Sequence, residues 1–378
     1  MKFLMISSYL PSVLNFRGKL LEAIHAQGLE IHVLAPDLQD YPDELNQLQQ
    51  LGYQVHTVPM QRTGTNPIQD LKTLKAMYQL IRQIQPDYVL SYTIKPVIYG
   101  TLAASLAKVP HRFALITGLG YAFQNAESGK RSIFQKMVHS LYAQALKHAH
   151  KVFFQNPDDL KLFQSMQLLS PQKPTVVVNG SGVNVQDFAV LDLPKNEKGQ
   201  AKASFLLIAR LLGDKGVREY AEAARIIKAK HPEVEFHLVG WIDENPAAIA
   251  QAELDAWVAE KVVNYWGKLS DVRPAIAASS VYVLPSYREG TPRTVLEAMA
   301  MGRAIITTDA PGCRETVIHG QNGYLVPVKS VEELVQAMQT FIDDPQLMVQ
   351  MGQRSREIAL EKYDVHQVNA HMMSEMGV

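Results

Sequence analysis

The chain has 378 residues, 47% apolar and 20% charged, with 37 Lys+Arg balancing 37 Asp+Glu. That composition is globular rather than disordered, the length suits two ordinary domains, and the zero net charge gives no pointer to nucleic acid. One cysteine, Cys313, excludes an intramolecular disulfide and a cysteine-based zinc site, which fits a reducing cytosol.

The charge is unevenly spread. Residues 1–190 hold 17 Lys+Arg and 12 Asp+Glu, leaving 20 and 25 for the remainder, so the halves stand at +5 and −5. A basic first half suits an anionic surface or substrate, although five charges over a domain fit scatter equally well. The N-terminal apolar run is shorter than a signal-peptide core, and no window approaches the roughly 20 apolar residues of a membrane span. Contact with a membrane is therefore expected at its surface only.

In chain order, Phe3 to Ile6 form a buried-looking strand, and a loop follows through Pro11, Asn15, Arg17 and Gly18. Leu20, Leu21 and Ile24 then recur at helical spacing. Strands are predicted at 31–35, 53–58, 88–90, 113–116, 152–154 and 175–178. Helices are predicted at 68–84, 97–107, 133–147 and after the cap-like Asn156-Pro157-Asp158-Asp159. The polar stretch 190–202 marks the domain boundary. Alternation restarts with strands at 205–209, 236–239, 262–266, 281–284, 304–307 and 324–326. Helices are predicted from 217, at 249–260, from 272, from 294, and at 331–342 and 345–361, with a final helix from 365. This order implies an α/β fold with two doubly wound parallel sheets, spanning 1–190 and 191–361, facing a cleft. The C-terminal segment 362–378 is expected to pack back on the first domain.

Ligands of such sheets bind at the carboxyl ends of the strands. Two stretches there carry chemistry. Ile208-Ala209-Arg210-Leu211-Leu212-Gly213-Asp214-Lys215-Gly216 is a strand, a loop and a helix start holding two cations, suited to a diphosphate. Glu289-Gly290-Thr291-Pro292-Arg293-Thr294-Val295-Leu296-Glu297 spans a strand-to-helix turn with carboxylates eight positions apart. Cations for a diphosphate and carboxylates for hydroxyl groups together describe a nucleotide-sugar site.

These segments resemble the retaining glycosyltransferases of family 4, which have the GT-B fold of two Rossmann-like domains. Thr308-Asp309-Ala310-Pro311-Gly312 and Asn322-Gly323-Tyr324-Leu325-Val326 extend the resemblance over nearly the whole second half. In the first half, Asn15-Phe16-Arg17-Gly18, Lys95-Pro96-Val97-Ile98-Tyr99-Gly100 and Thr117-Gly118-Leu119-Gly120-Tyr121 resemble the subgroup that builds bacterial surface polysaccharides on a lipid carrier.

The resemblance implies transfer of a hexose or N-acetylhexosamine from a UDP-sugar to an undecaprenyl-diphosphate-linked saccharide. It implies that Arg210 and Lys215 neutralise the diphosphate, Glu297 holds the ribose and Glu289 meets the donor sugar. Amides of Gly290, Thr291, Arg293 and Thr294 would lie near sugar and phosphate, while Pro292 cannot donate. Gly18, opening the first helix, would let backbone approach the diphosphate. Asn15, Arg17, Lys95, Thr117 and Gly118 fall on the acceptor side. With no Asp-x-Asp in the chain, no metal or other cofactor is expected.

Many relatives place a histidine after the strand at 113–116; here Ile116-Thr117-Gly118-Leu119-Gly120 has none, so no base is assigned. The expected location is the cytoplasmic face of the inner membrane. The 133–147 helix, with Lys130, Arg131, Lys136 and Lys147 beside Phe134, Met137, Val138, Leu141 and Tyr142, suits either an anionic lipid surface or an ordinary core-facing stripe. Cys313 reads as a small buried residue. Two rivals stand beside the transferase reading: a UDP-sugar epimerase of the same fold, and a non-enzymatic two-domain ligand-binding protein.

Overall fold

The computed structural model describes residues 1–61, 66–119, 123, 133–243, 245 and 247–378. They form two compact units, Met1–Ser181 with His366–Val378, and Gly182–Val365.

The first unit has a seven-stranded sheet in the order β3-β2-β1-β4-β5-β6-β7. Its strands are β1 (Lys2–Ile6), β2 (Glu30–Leu34), β3 (Gln54–His56), β4 (Tyr88–Tyr92), β5 (His111–Ile116), β6 (Lys151–Phe154) and β7 (Thr175–Val177). Every pairing is parallel, and β1 and β4 are buried along almost their whole length, as a sheet covered by helices on both faces requires.

Helix α1 runs Leu10–Ala26, so it begins ten residues before the first expected helical position at Leu20. Pro11 sits in its first turn, where a missing N–H is harmless, and Leu10, Val13, Leu20, Leu21 and Ile24 make its buried stripe. Gly18 consequently lies inside the helix rather than opening it. Its N–H falls in the interior ladder and is not offered to a ligand. Helix α2 (Pro42–Gln50) was not legible, since Leu48 is its one buried residue. After α3 (Pro67–Ile84), the helix expected at 97–107 starts as a wider π-type turn, Pro96–Gly100, before α4 (Thr101–Leu106). Helices α5 (Ile133–His148) and α6 (Pro157–Ser165) complete this run.

The second unit repeats the plan with six parallel strands in the order β10-β9-β8-β11-β12-β13. These are β8 (Ser204–Ile208), β9 (Glu235–Val239), β10 (Asn264–Tyr265), β11 (Val281–Leu284), β12 (Ala304–Thr308) and β13 (Gly323–Val326). Between them lie α7 (Val217–Lys230), α8 (Gln251–Ala259), α9 (Arg273–Ala277) and α10 (Arg293–Ala300), and α11 (Val331–Asp343) and α12 (Gln346–Lys362) close the unit. Strand β10 has two residues where five were expected; Val262 and Val263 are buried ahead of it.

The division of contacts falls at 181/182, nine residues before the expected boundary. Two arginines account for this. Arg356 Nη1 donates to the carbonyls of Val185 (3.0 Å), Phe188 (3.2 Å) and Ala300 (2.8 Å). Arg303, fully buried, donates to Leu191 O (2.7 Å), Asp192 O (3.4 Å), Ile276 O (3.0 Å) and Met301 O (2.8 Å). The polar connector is thereby fixed to the second unit. The last helix, α13 (Val365–Met376), lies against the first unit: Met372, Met373 and Met376 join its core, and Lys151 Nζ bonds Glu375 Oε2 at 2.5 Å.

Arg303→Met should strand these carbonyls and destabilise the protein by about 2–4 kcal/mol, which lowers Tm by roughly 5–10 °C for a unit of this size. A melting curve followed by circular dichroism checks this, and an unchanged Tm would contradict the clamp.

Candidate functional site: a cation–carboxylate cluster at the switch point of the second sheet

In the second sheet the strand order reverses between β8 and β11, so the chain leaves them in opposite directions and opens a crevice at their carboxyl ends. The loop after β8 carries Arg210 and Lys215; the loop after β11 carries Glu289 and leads into α10 with Glu297.

Backbone contacts join the two loops. Tyr287 N donates to Asp214 O at 2.9 Å, and Ser286 Oγ lies 3.2 Å from the same carbonyl. Gly216, at φ 70°, begins α7 so close to Pro285 that a Cβ would stand 2.2 Å from its carbonyl oxygen. Lys215 Nζ lies 2.6 Å from Glu289 Oε1, and Ser286 Oγ donates to that oxygen at 2.8 Å. Burial works against the Lys215 charge, but Glu289 outweighs it and the lysine pKa is held above its ordinary value. The ammonium therefore stays charged through the neutral range.

The loop from 309 to 313 supports Glu289 from behind. Glu289 N donates to Pro311 O at 2.9 Å, and a Cβ on Gly312 (φ 81°) would fall 2.1 Å from Glu289 O. Cys313 is fully buried there, and burial, with Glu289 next, pushes its thiol up to about 12, so it is no nucleophile at neutral pH.

On α10, Arg293 Nε donates to Glu297 Oε1 at 2.8 Å. Burial raises the Glu297 pKa while Arg293 opposes the shift. Thr294 Oγ1 accepts from Tyr282 Oη at 2.6 Å, which ties α10 to β11. The amides of Val295 and Leu296 are taken by Pro292 O, whereas the Thr294 amide meets no acceptor among the described residues.

Arg210 is the cation whose setting was not foreseen. Its Nη1 bonds Asp243 Oδ2 at 2.9 Å, and the loop after β9 pairs with the Arg210 loop through Leu211 N→Trp241 O (3.0 Å), Gly213 N→Ala247 O (2.9 Å) and Ile249 N→Leu211 O (3.0 Å). A polar turn following a strand was the available signal; nothing in spacing linked it to residue 210. Ser286 and Tyr282 were also missed, being ordinary strand-end residues in the sequence.

Of the acceptor-side residues, Lys95, Thr117 and Gly118 follow strands of the first unit, whereas Asn15 and Arg17 lie on α1. Arg17 is buried on α1, 5.6 Å above the Tyr92 ring. With its amide turned as its neighbours require, Gln155 donates to Thr117 O (2.8 Å) and accepts from Arg17 Nη2 (3.3 Å). Lys95 instead bonds Asp70 on α3 at 2.8 Å. Asn15 and Gly118 are exposed. Thr93, beside Lys95, holds φ at 69°, unusual for a branched residue, and its hydroxyl lies 2.8 Å from Ser8 Oγ. Gly120 and Tyr121 lie outside the described residues, as do Lys130 and Arg131. The described side chains of α5 place Val138, Tyr142, Ala145 and Leu146 in the core and leave Lys136 and Lys147 exposed, the ordinary core-facing arrangement.

Two such units with this cluster define a glycosyltransferase of GT-B fold. The sucrose-phosphate synthase of Thermosynechococcus elongatus superposes with a TM-score of 0.80 at 18% identity, covering 99% of this chain and 98% of that one. The model for glycosyl transferases group 1 matches residues 202–344, and that for glycosyl transferase 4-like proteins matches 12–156. A Campylobacter jejuni protein, N,N'-diacetylbacillosaminyl-diphospho-undecaprenol alpha-1,3-N-acetylgalactosaminyltransferase, is 30% identical over 362 residues, 93% of this chain and 92% of its own length. The Escherichia coli UDP-Gal:alpha-D-GlcNAc-diphosphoundecaprenol alpha-1,3-galactosyltransferase is 27% identical over 300 residues, covering 77% and 76%. The chain belongs to glycosyltransferase family 4. The epimerase and binding-protein readings are thereby set aside.

Gly312→Ala should push Glu289 out of reach of Lys215 and cut turnover at least about tenfold, since the left-handed backbone and the close carbonyl both resist a side chain. A transferase assay on folded variant protein checks this; wild-type turnover would show that Glu289 needs no such support.

Proposed function

We propose that the protein is a retaining glycosyltransferase that moves a hexose or N-acetylhexosamine from a UDP-sugar to an undecaprenyl-diphosphate-linked saccharide. The observation that carries this reading is Lys215 held against Glu289 at the switch point, a cation and a carboxylate on separate loops within 2.6 Å. A diphosphate placed there meets Lys215 and Arg210, whose charge offsets the negative charge that develops as the sugar–phosphate bond breaks. Glu289 then faces the sugar, where positive charge grows at the anomeric carbon, and Glu297 takes the ribose hydroxyls. The Thr294 amide is available to phosphate or sugar.

UDP as the carrier is supported by the donor named for the Escherichia coli relative, and the lipid-diphosphate acceptor by the names of both relatives. Those names specify α-linked products, and the anomeric bond of a UDP-hexose is itself α, so retention is the consistent stereochemistry. In the retaining step the acceptor oxygen bonds to the anomeric carbon on the face the phosphate leaves. The acceptor proton passes to the departing β-phosphate oxygen, which needs no separate base.

Arg17, Lys95 and Thr117 of the first unit serve the acceptor in this reading. The two cations supply the charge that a metal provides elsewhere, so turnover is metal-independent. Among the described residues no cluster of His, Cys, Asp or Glu is arranged to hold a metal ion, and no helix is long and apolar enough to cross a membrane. The lipid-borne acceptor brings the enzyme to the cytoplasmic face of the inner membrane as a peripheral protein.

Incubation with a panel of UDP-sugars, with and without a synthetic lipid-diphosphate saccharide, tests the proposal. UDP release that depends on acceptor supports it, and sugar interconversion without acceptor would replace it with epimerisation. Lys215→Ala and Glu289→Ala should each lower turnover by roughly 10²–10³-fold, the scale of losing one preorganised electrostatic group. Activity should survive EDTA, and a strong loss would reveal a metal requirement.

A further inference from the structure

We propose that Arg293 is a positioning residue for nucleoside recognition: by holding one oxygen of Glu297, it keeps that buried carboxylate ionised and leaves the other oxygen for the ribose. This rests on the reading of Glu297 as the ribose ligand.

As a helix stabiliser Arg293 is badly placed. It occupies the first position of α10, where the helix end is positive and a cation is disfavoured. The Arg-before-Glu order at i, i+4 is also the weaker orientation for a helical ion pair. Its contact with Glu297 is nevertheless direct, at 2.8 Å, and the Glu297 side chain is only 8% exposed. An uncompensated carboxylate at that depth would take up a proton.

The other groups facing Glu297 do not supply positive charge. Asp271, in the loop after β10, repels it and is itself clamped by Arg273 at 2.8 Å. Tyr282, from β11, donates its hydroxyl to Thr294. Arg293 is the cation within ion-pair distance of Glu297 among the described residues, and no hydrogen bond within them occupies Oε2.

The test compares the affinities of UDP and 2′-deoxy-UDP by calorimetry between pH 6 and 9. Both nucleotides share the phosphate titration, so their ratio isolates the ribose contact. Wild type should prefer UDP by about tenfold or more at neutral pH, the scale of a hydrogen bond to a charged group. Because burial raises the Glu297 pKa, this preference fades as pH falls.

In Arg293→Gln the fade should move to higher pH, so the preference at pH 7 falls below that of wild type and recovers as pH rises. Arg293→Lys, which restores the charge, should lie near wild type, and melting curves confirm that both variants fold. Gln and Lys variants that both follow the wild-type curve would overturn the proposal. A wild type with no preference for UDP, unaffected by Glu297→Gln, would instead overturn the ribose assignment beneath it.

Discussion

Lys215 and Glu289 meet at 2.6 Å although 74 positions separate them in the chain, and the proposed donor site depends on that contact. Each lies on a loop leaving a different central strand of one sheet, so the pair forms only if the strand order reverses there. Leaving one member of a buried ion pair alone costs about 3–5 kcal/mol, whereas a single hydrogen bond to a charged group returns about 1.5–3 kcal/mol. A ligand that takes Lys215 must therefore offer several contacts at once. In the proposed reading a diphosphate does so, meeting Lys215, Arg210 and the Thr294 amide together.

The rest of the second unit holds that contact in place. Gly216 and Gly312 let two further backbone segments approach at distances no side chain would allow, one under Pro285 and one under Glu289. The hydrogen bond from Tyr287 N to Asp214 O fastens the two loops together. The site is thus built on strand ends and braced loops, the kind of support that keeps electrostatic groups aimed before substrate arrives. Arg293 and Asp243 add ionic partners to Glu297 and Arg210, so each of the four charged residues assigned to the donor has an opposite charge beside it in the protein.

Much of this was legible from residue order. Continuous apolar runs such as Phe205 to Ile208 and Val281 to Leu284 identified the central strands, and the loops after them carried the charged residues at strand ends. The start of α1 is hidden by Pro11, which reads as a loop signal although proline is well suited to a first helical turn. The pairing of Arg210 with Asp243 was invisible, since it depends on β9 lying beside β8, a neighbourhood that no local spacing encodes. The polar connector around 190–202 reads as the domain boundary by composition. Its attachment to the second unit comes from two distant arginines donating to its backbone and to the residues just before it, and hydrogen bonds to carbonyls leave no mark on the sequence of the acceptor.

The most direct test of the central contact is calorimetric titration of UDP into wild type and Glu289→Gln, alongside turnover of the same two proteins. If Glu289 serves the sugar and acts as counterion to Lys215 only until a diphosphate replaces it, the variant should bind UDP as tightly as wild type or more tightly while its turnover collapses. Weakened UDP binding with turnover preserved at saturation would contradict the account.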